Sequence, residues 1–174
     1  MDHKYYPNSK NIFIVNAGKN INTDMPEYVP VLTPSNELIF TSKRKDTDDE
    51  TVSYLDGKFY ESMYISQMSP SGFSSVRRYT LPDQASHSHF RRSHESIVSM
   101  SQDGKKLFLF HNNKIFEEDI SDRVNQKPKP LDKLVDSRFY QNHAFLSADG
   151  KTLFFTAETD SGKGGLDKIG RAHV

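Results

Sequence analysis

Three histidines near the middle of the chain are its clearest candidates for metal chemistry. His87 and His89 are separated by one residue, so on a strand both imidazoles would point to the same face, an arrangement that suits zinc. His94 or Glu95 would supply a third ligand. Two arginines in the same segment would repel a cation, so a polar connector with incidental histidines explains the pattern better. We therefore predict no metal site.

A run of acidic residues forms a second cluster with cation-binding chemistry. Carboxylate oxygens are the ligands that calcium prefers, but the run lacks the spacing of an EF-hand loop. It also follows three basic residues that can neutralise it. We interpret residues 43–58 as a solvated loop inserted between two strands. Its acidic residues are Asp46, Asp48, Asp49 and Glu50.

Nucleophilic and phosphate-binding chemistry lack a supporting motif. The chain has no Gly-x-Ser-x-Gly elbow, and the glycine-rich residues 161–165 lack the spacing of a phosphate-binding loop. Asp103 and Asp149 are each followed by glycine, Gly104 and Gly150. An Asp-Gly pair favours a tight turn, in which the aspartate bonds to nearby backbone. We therefore predict no catalytic residue and no cofactor.

The turn motif recurs along the chain, each time followed by an apolar segment typical of a strand. The sequence SQDGKKLFLF, from Ser101, is echoed by SADGKTLFFT, from Ser147, and a weaker copy without Asp-Gly begins at Thr33. A repeat of about 40–50 residues built from strands and tight turns is typical of a β-propeller blade. We find no sustained helical period. The sequence therefore predicts an all-β fold, a partial β-propeller of about three blades that belongs to a larger propeller.

The repeat divides the chain into units. Residues 1–26 would end a preceding blade and connect to residues 27–93, the first unit, in which Pro30 places the first strand at an edge or a bulge. The second unit spans residues 94–139, and the third, incomplete, spans residues 140–167. The last six residues match a translated short-read sequencing adapter. We therefore expect residues 168–174 to be an adapter-derived tail.

Composition narrows the classes of partner. The chain carries 23 basic and 23 acidic residues, and this neutral balance argues against a nucleic-acid-binding surface. The aromatics Phe108, Phe110, Phe154 and Phe155 then favour packing between blades over base stacking. Cysteine is absent, so disulfides and thiolate metal sites are excluded. No apolar run approaches the roughly 20 residues of a transmembrane helix.

Several motifs together resemble a known family. Ile21-Asn22-Thr23 and Leu38-Ile39-Phe40-Thr41-Ser42-Lys43-Arg44, with Ser-x-Asp-Gly-Lys-x-Leu-Phe in the later units and Gly164-Gly165-Leu166-Asp167, are similar to TolB-like, WD-repeat-like propeller repeats. The combination most resembles repeats of Bacteroidetes cell-envelope proteins of the OmpA family. The resemblance covers residues 12–167. In the first unit, Phe73 stands where the family often has tryptophan.

The resemblance implies a function. It suggests a non-enzymatic scaffold in the periplasm or at the outer membrane that binds protein or peptidoglycan-associated partners. In the full protein, this scaffold would precede a peptidoglycan-binding domain. The alternative is the gating propeller of a prolyl-oligopeptidase-type peptidase, whose catalytic triad would lie on a separate domain. Loops on a rigid scaffold commonly carry function, so the 43–58 loop is the candidate contact surface. Its predicted contact residues are Arg44, Asp46, Asp48, Asp49, Glu50 and Tyr54.

Overall fold

The computed structural model describes an all-β protein, which confirms the predicted fold class. The described residues are 14–45, 52–54, 56–81, 94–122, 127–131 and 140–158, together with the backbone of residues 168–173. Within them, twelve strands form three antiparallel sheets, each built from strands that are consecutive in the chain. Aromatic and β-branched residues are frequent in these strands, as their fit to a pleated surface favours.

Sheet one contains the first five strands in the order β1-β2-β3-β4, and β5 also pairs with β3. Its strands are β1 (Glu27–Leu32), β2 (Glu37–Ser42), β3 (Ser62–Ser69), β4 (Gly72–Phe73) and β5 (Arg77–Arg78). The first strand contains a bulge between Tyr28 and Val31, where the register against β2 shifts. Pro30 lies in this bulge on the edge strand, as predicted, because proline cannot donate to the ladder.

Sheets two and three repeat this meander. Sheet two contains β6 (Glu95–Met100), β7 (Lys106–His111), β8 (Lys114–Asp119) and β9 (Lys129–Pro130). Sheet three contains β10 (Gln141–Leu146), β11 (Thr152–Ala157) and β12 (Lys168–His173). The first strand of each also contains a register shift, between Ile97 and Ser99 in β6 and between Gln141 and His143 in β10. Every sheet thus begins with a bulged strand.

Residues 168–173, which the sequence assigns to a tail, form the third strand of sheet three. All six residues of β12 pair with β11, from Lys168 opposite Ala157 to His173 opposite Thr152. Ladder hydrogen bonds use backbone groups, so the free edge of β11 accepts a segment of varied composition. The third unit, predicted as incomplete at residue 167, therefore gains a third strand.

The three sheets stack through alternating faces of their middle strands. On β7, Leu107 and Leu109 join a core with Ile39 of sheet one, whereas Phe108 joins a core with Leu153 of sheet three. This alternation follows from the two-residue period of a strand. Buried polar contacts accompany the packing: the Ile97 amide donates to Thr41 Oγ1 at 2.9 Å. Sheet two is therefore covered on both faces.

The other face of sheet one is covered by the preceding segment. Phe40 and Tyr64 form a small core with Ile21, and Ala17 packs against it. For residues 11–15 the sequence predicts a strand that completes a preceding blade or closes the ring. Residues 11–13 lie outside the described part of the chain, and Ile14, although described, is not in a strand.

Candidate functional site

The predicted contact loop contains a closed turn, which we call the contact hairpin (residues 52–54 and 56–59). Val52 pairs with Phe59 in an isolated bridge, the Ser53 amide donates to the Lys58 carbonyl at 2.7 Å, and the Gly57 amide donates to the Ser53 carbonyl at 2.9 Å. These backbone bonds give the tip a defined shape. The acidic residues Asp46, Asp48, Asp49 and Glu50 lie outside the described residues.

Tyr54 stands at the tip of the contact hairpin and is 89% exposed. Val52 beside it is also exposed. A large aromatic side chain in water leaves apolar area unburied, and tyrosine combines that area with a hydroxyl that can donate or accept. Exposed tyrosines of this kind are enriched among the residues that dominate protein interfaces.

Ion pairs brace the base of the contact hairpin. Lys43 Nζ lies 2.7 Å from Asp56 Oδ2 and 3.7 Å from Glu61 Oε1, so it joins the hairpin to the start of β3. Asp56 Oδ1 also accepts from the Lys58 amide at 3.1 Å. The hydrogen bond from Lys43 and that from the Lys58 amide hold the pKa of Asp56 below its usual value. The hairpin is therefore fixed to the sheet beneath it.

Arg44, the first predicted contact residue, faces inward. Its Nη2 lies 2.7 Å from the Ile21 carbonyl and 3.3 Å from Glu27 Oε1. The guanidinium carbon lies 5.0 Å from the ring centroid of Phe40 and 4.9 Å from that of Tyr64, distances typical of cation–π contacts. Arg44 thus covers the small core on sheet one, and its charge is paired with Glu27 inside the molecule.

A second cluster beside the hairpin is centred on Glu61. His94 Nδ1 lies 3.3 Å from Glu61 Oε2, and the rings of His94 and Tyr60 are 5.0 Å apart. Burial raises the pKa of Tyr28 well above its usual value, and its hydrogen bond to Glu61 and the charge of Glu61 raise it further. Tyr28 therefore stays protonated and serves as a hydrogen-bond donor to Glu61.

The first position of each sheet's first strand carries a carboxylate or an amide: Glu27, Glu95 or Gln141. Glu95 is 1% exposed, with Oε2 3.4 Å from Arg78 Nη2 and Oε1 3.2 Å from His111 Nδ1. Because Arg78 belongs to sheet one, this pair links two sheets. The sequence signal for this cluster was a polar residue that recurs at the first position of an otherwise largely apolar strand. A search for catalytic and metal-binding motifs does not find it.

Of the residues considered as metal ligands, His94 and Glu95 lie in the described part of the chain. His87 and His89 lie outside the described part, His94 contacts Glu61, and Glu95 contacts Arg78 and His111. Within the part of the chain that the structure describes, no three His, Cys, Asp or Glu side chains converge in a way that could hold a metal ion.

Asp103 and Gly104 lie in the turn between β6 and β7, at the end of sheet two opposite the contact hairpin's end. Asp103 Oδ1 accepts from Ser101 Oγ at 2.7 Å and from the Lys105 amide at 3.1 Å, and Gly104 has a φ of +70°. These two hydrogen bonds hold the pKa of Asp103 below its usual value. The carboxylate therefore stabilises the turn.

Asp149 and Gly150 repeat this arrangement between β10 and β11. Asp149 Oδ1 accepts from Ser147 Oγ at 2.6 Å and from the Lys151 amide at 3.1 Å, which lowers the pKa of Asp149, and Gly150 also has a φ of +70°. In sheet one, Asn36 takes the glycine position with a φ of +59°. Asparagine tolerates this left-handed conformation better than most residues.

Comparisons with known proteins give no family. No protein-family model matches the chain, and no curated protein matches it at a significant level. The described residues also contain no helix of sufficient length and apolar character to cross a membrane. Function must therefore be argued from the geometry of the sheets and of the contact hairpin.

Proposed function

We propose that this chain is a β-propeller module that acts as a non-enzymatic protein-interaction scaffold in the bacterial cell envelope. The observation that carries this proposal is the contact hairpin, which presents Tyr54 to solvent from a base braced by Lys43, Asp56 and Glu61. An exposed aromatic on a rigid support suits partner binding, because little conformational freedom is lost when the complex forms.

The repeated geometry between sheets supports the propeller architecture. The Glu95 amide at the start of β6 donates to the carbonyl of Glu61, the residue before β3, at 3.0 Å. The Gln141 amide at the start of β10 donates in the same way to the carbonyl of Asn113, the residue before β8, at 3.2 Å. Each sheet thus contacts the one before it through its first strand, which is the relation between successive propeller blades.

Charge indicates the kind of partner that the hairpin would bind. The acidic run precedes the exposed Tyr54 in the sequence, and Lys43 is occupied by Asp56 and Glu61. A partner with basic residues around an apolar pocket would complement an aromatic tip that follows acidic residues in the sequence. Protein or peptidoglycan-associated envelope components remain the proposed partners, on the resemblance of the repeats.

Site-specific photo-crosslinking tests the proposal. A photoreactive phenylalanine analogue replaces Tyr54, and in a control protein it replaces Lys151, an exposed residue in a turn at the opposite end of the sheets. After incubation with a bacterial envelope fraction, we expect adducts of defined mass from position 54 alone. Equal adducts from both positions, or none from position 54, would contradict a contact role for the hairpin.

A further inference from the structure

The outer face of sheet three presents two adjacent aromatic side chains to solvent. Phe145 on β10 and Phe154 on β11 are direct cross-strand partners, 61% and 40% exposed. Cross-strand neighbours have their Cβ atoms about 5 Å apart, so the two rings form one apolar patch. Adjacent exposed rings of this kind form a candidate docking surface.

The other sheets indicate what covers such a face. Ser42, His111 and Ala157 each pair with the first residue of their sheet's first strand, so they are equivalent. Three residues before them lie Ile39, Phe108 and Phe154, which therefore occupy one position of the repeat.

Two members of this position are buried by the following sheet. Ile39 packs in the core that contains Ile97 and Leu107 of sheet two. Phe108, 1% exposed, packs in the core that contains Ala144 and Leu153 of sheet three. Phe154 is the remaining member, and it faces solvent where its equivalents face the next sheet.

The opposite end of the stack is closed, which decides between occupants. The face of sheet one that corresponds to the partner surface is packed by Ile21 and Ala17 and covered by Arg44. A second copy of this chain therefore has no free matching face to place against Phe154 in head-to-tail stacking.

We propose that the Phe145–Phe154 face is a docking surface for a further β-meander sheet of the same repeat. That sheet would present aliphatic residues from its first and middle strands, as Ala144 and Leu153 do against Phe108. This inference rests on the proposed propeller architecture. It is independent of the contact hairpin, so the two proposals can fail separately.

The absence of cysteine from the chain makes thiol reactivity a direct test. A second copy of residues 120–173 is appended after residue 173. The copy begins at residue 120 because His173, the last residue of β12, is equivalent to Asp119, the last residue of β8. Phe154→Cys, introduced in the first copy alone, reports on coverage through its rate of reaction with an aqueous disulfide reagent. Tyr54→Cys serves as the exposed control.

In the unextended chain, we expect the Phe154→Cys thiol to react almost as fast as that of Tyr54→Cys. In the extended protein it should react at least roughly tenfold more slowly, since reaction depends on access to the thiol. The Tyr54→Cys rate should be the same in both proteins.

Three results would overturn the proposal. The first is an unchanged Phe154→Cys rate in an extended protein whose appended copy is folded, as judged by protection of a cysteine at the copied Leu153. The second is an appended copy that stays unfolded, since the face then does not support another sheet. The third is protection of Phe154→Cys in an unextended chain that sediments as a dimer, which would make a second copy the occupant.

Discussion

Glu95 is a buried carboxylate whose polar contacts hold sheets one and two together. Asn112 Nδ2 lies 2.8 Å from His111 Nε2, and an amide that donates there leaves the imidazole proton on Nδ1, facing Glu95 Oε1. Arg78 approaches the other carboxylate oxygen from sheet one. A carboxylate so enclosed is poorly suited to binding a substrate, and it instead links two sheets.

Removal of the Glu95 carboxylate should strongly destabilise the protein. Glu95→Ala leaves Arg78 and His111 beside a buried site without their carboxylate, and breaking one side of a buried ion pair costs about 3–5 kcal/mol. Glu95→Gln should cost less, because Gln141 already occupies the equivalent position in sheet three. Urea denaturation gives the free energy of unfolding.

Glu117→Ala is the matched control for this prediction. Glu117 Oε1 pairs with Lys106 Nζ at 3.1 Å, but both side chains are partly exposed, and surface pairs contribute about 0–1 kcal/mol. Equal losses of stability for Glu95→Ala and Glu117→Ala would show that the buried linkage has no special weight.

The turn aspartates should make stability depend on pH in acid. Their lowered pKa in the folded state means that their contribution is present above the unfolded value of about 3.9 and is lost as the pH falls through the folded pKa. The double variant Asp103→Asn/Asp149→Asn keeps an acceptor oxygen but does not titrate. We expect it to flatten the decline of the urea midpoint between roughly pH 4 and pH 2.

Asp24→Asn, an exposed aspartate outside the two turns, is the control for this titration. The double variant and the control should have similar midpoints at pH 7, because the acceptor is retained. An acid decline that is as steep in the double variant as in the unmodified protein would refute the assignment to these carboxylates.

At the scale of elements, the turns between the first and second strands also pack against each other. Gly104 has a φ of +70°, and a Cβ placed on it would lie 2.5 Å from Cγ of Pro34 in the turn of sheet one. Gly150 has the same φ, but a Cβ there would meet no atom within 4 Å. A comparison of substitutions at the two glycines therefore distinguishes the cost of backbone strain from the cost of contact between turns.

Gly104→Ala should consequently be more destabilising than Gly150→Ala. Both variants place a Cβ in the left-handed region, which costs roughly 1–2 kcal/mol. Only Gly104→Ala also forces apart the turns of sheets one and two. The free energies of unfolding of the two variants should therefore differ clearly in urea denaturation, and equal values would mean that the turns do not press on each other.

Local features of this fold were predictable because they depend on neighbours in sequence. Asp-Gly requires a turn that accepts positive φ, and Pro30 requires an edge or a bulge, so both could be assigned without a structure. The all-β class followed from the strand pattern and the lack of a helical period. Each of these inferences uses only a few consecutive residues.

Features set by distant contacts were not predictable. Arg44 reads as part of a charged loop, yet its guanidinium lies over Phe40 and Tyr64 and bonds to a carbonyl more than twenty residues earlier. The link between Arg78 and Glu95 depends on how two sheets stack, which periodicity does not encode. The pairing of β12 with β11 likewise depends on a free strand edge.

At the scale of the whole molecule, the stacking of sheets should determine which aromatic residues matter for stability. Phe108 and Phe154 occupy one position of the repeat, but Phe108 lies between two sheets and Phe154 faces solvent. Phe108→Ala should cost about 3–5 kcal/mol through lost burial and the cavity that remains. Phe154→Ala should cost about 1 kcal/mol or less, as surface substitutions do. Urea denaturation of both variants measures the contrast, and similar losses would mean that Phe154 is already covered in the isolated chain.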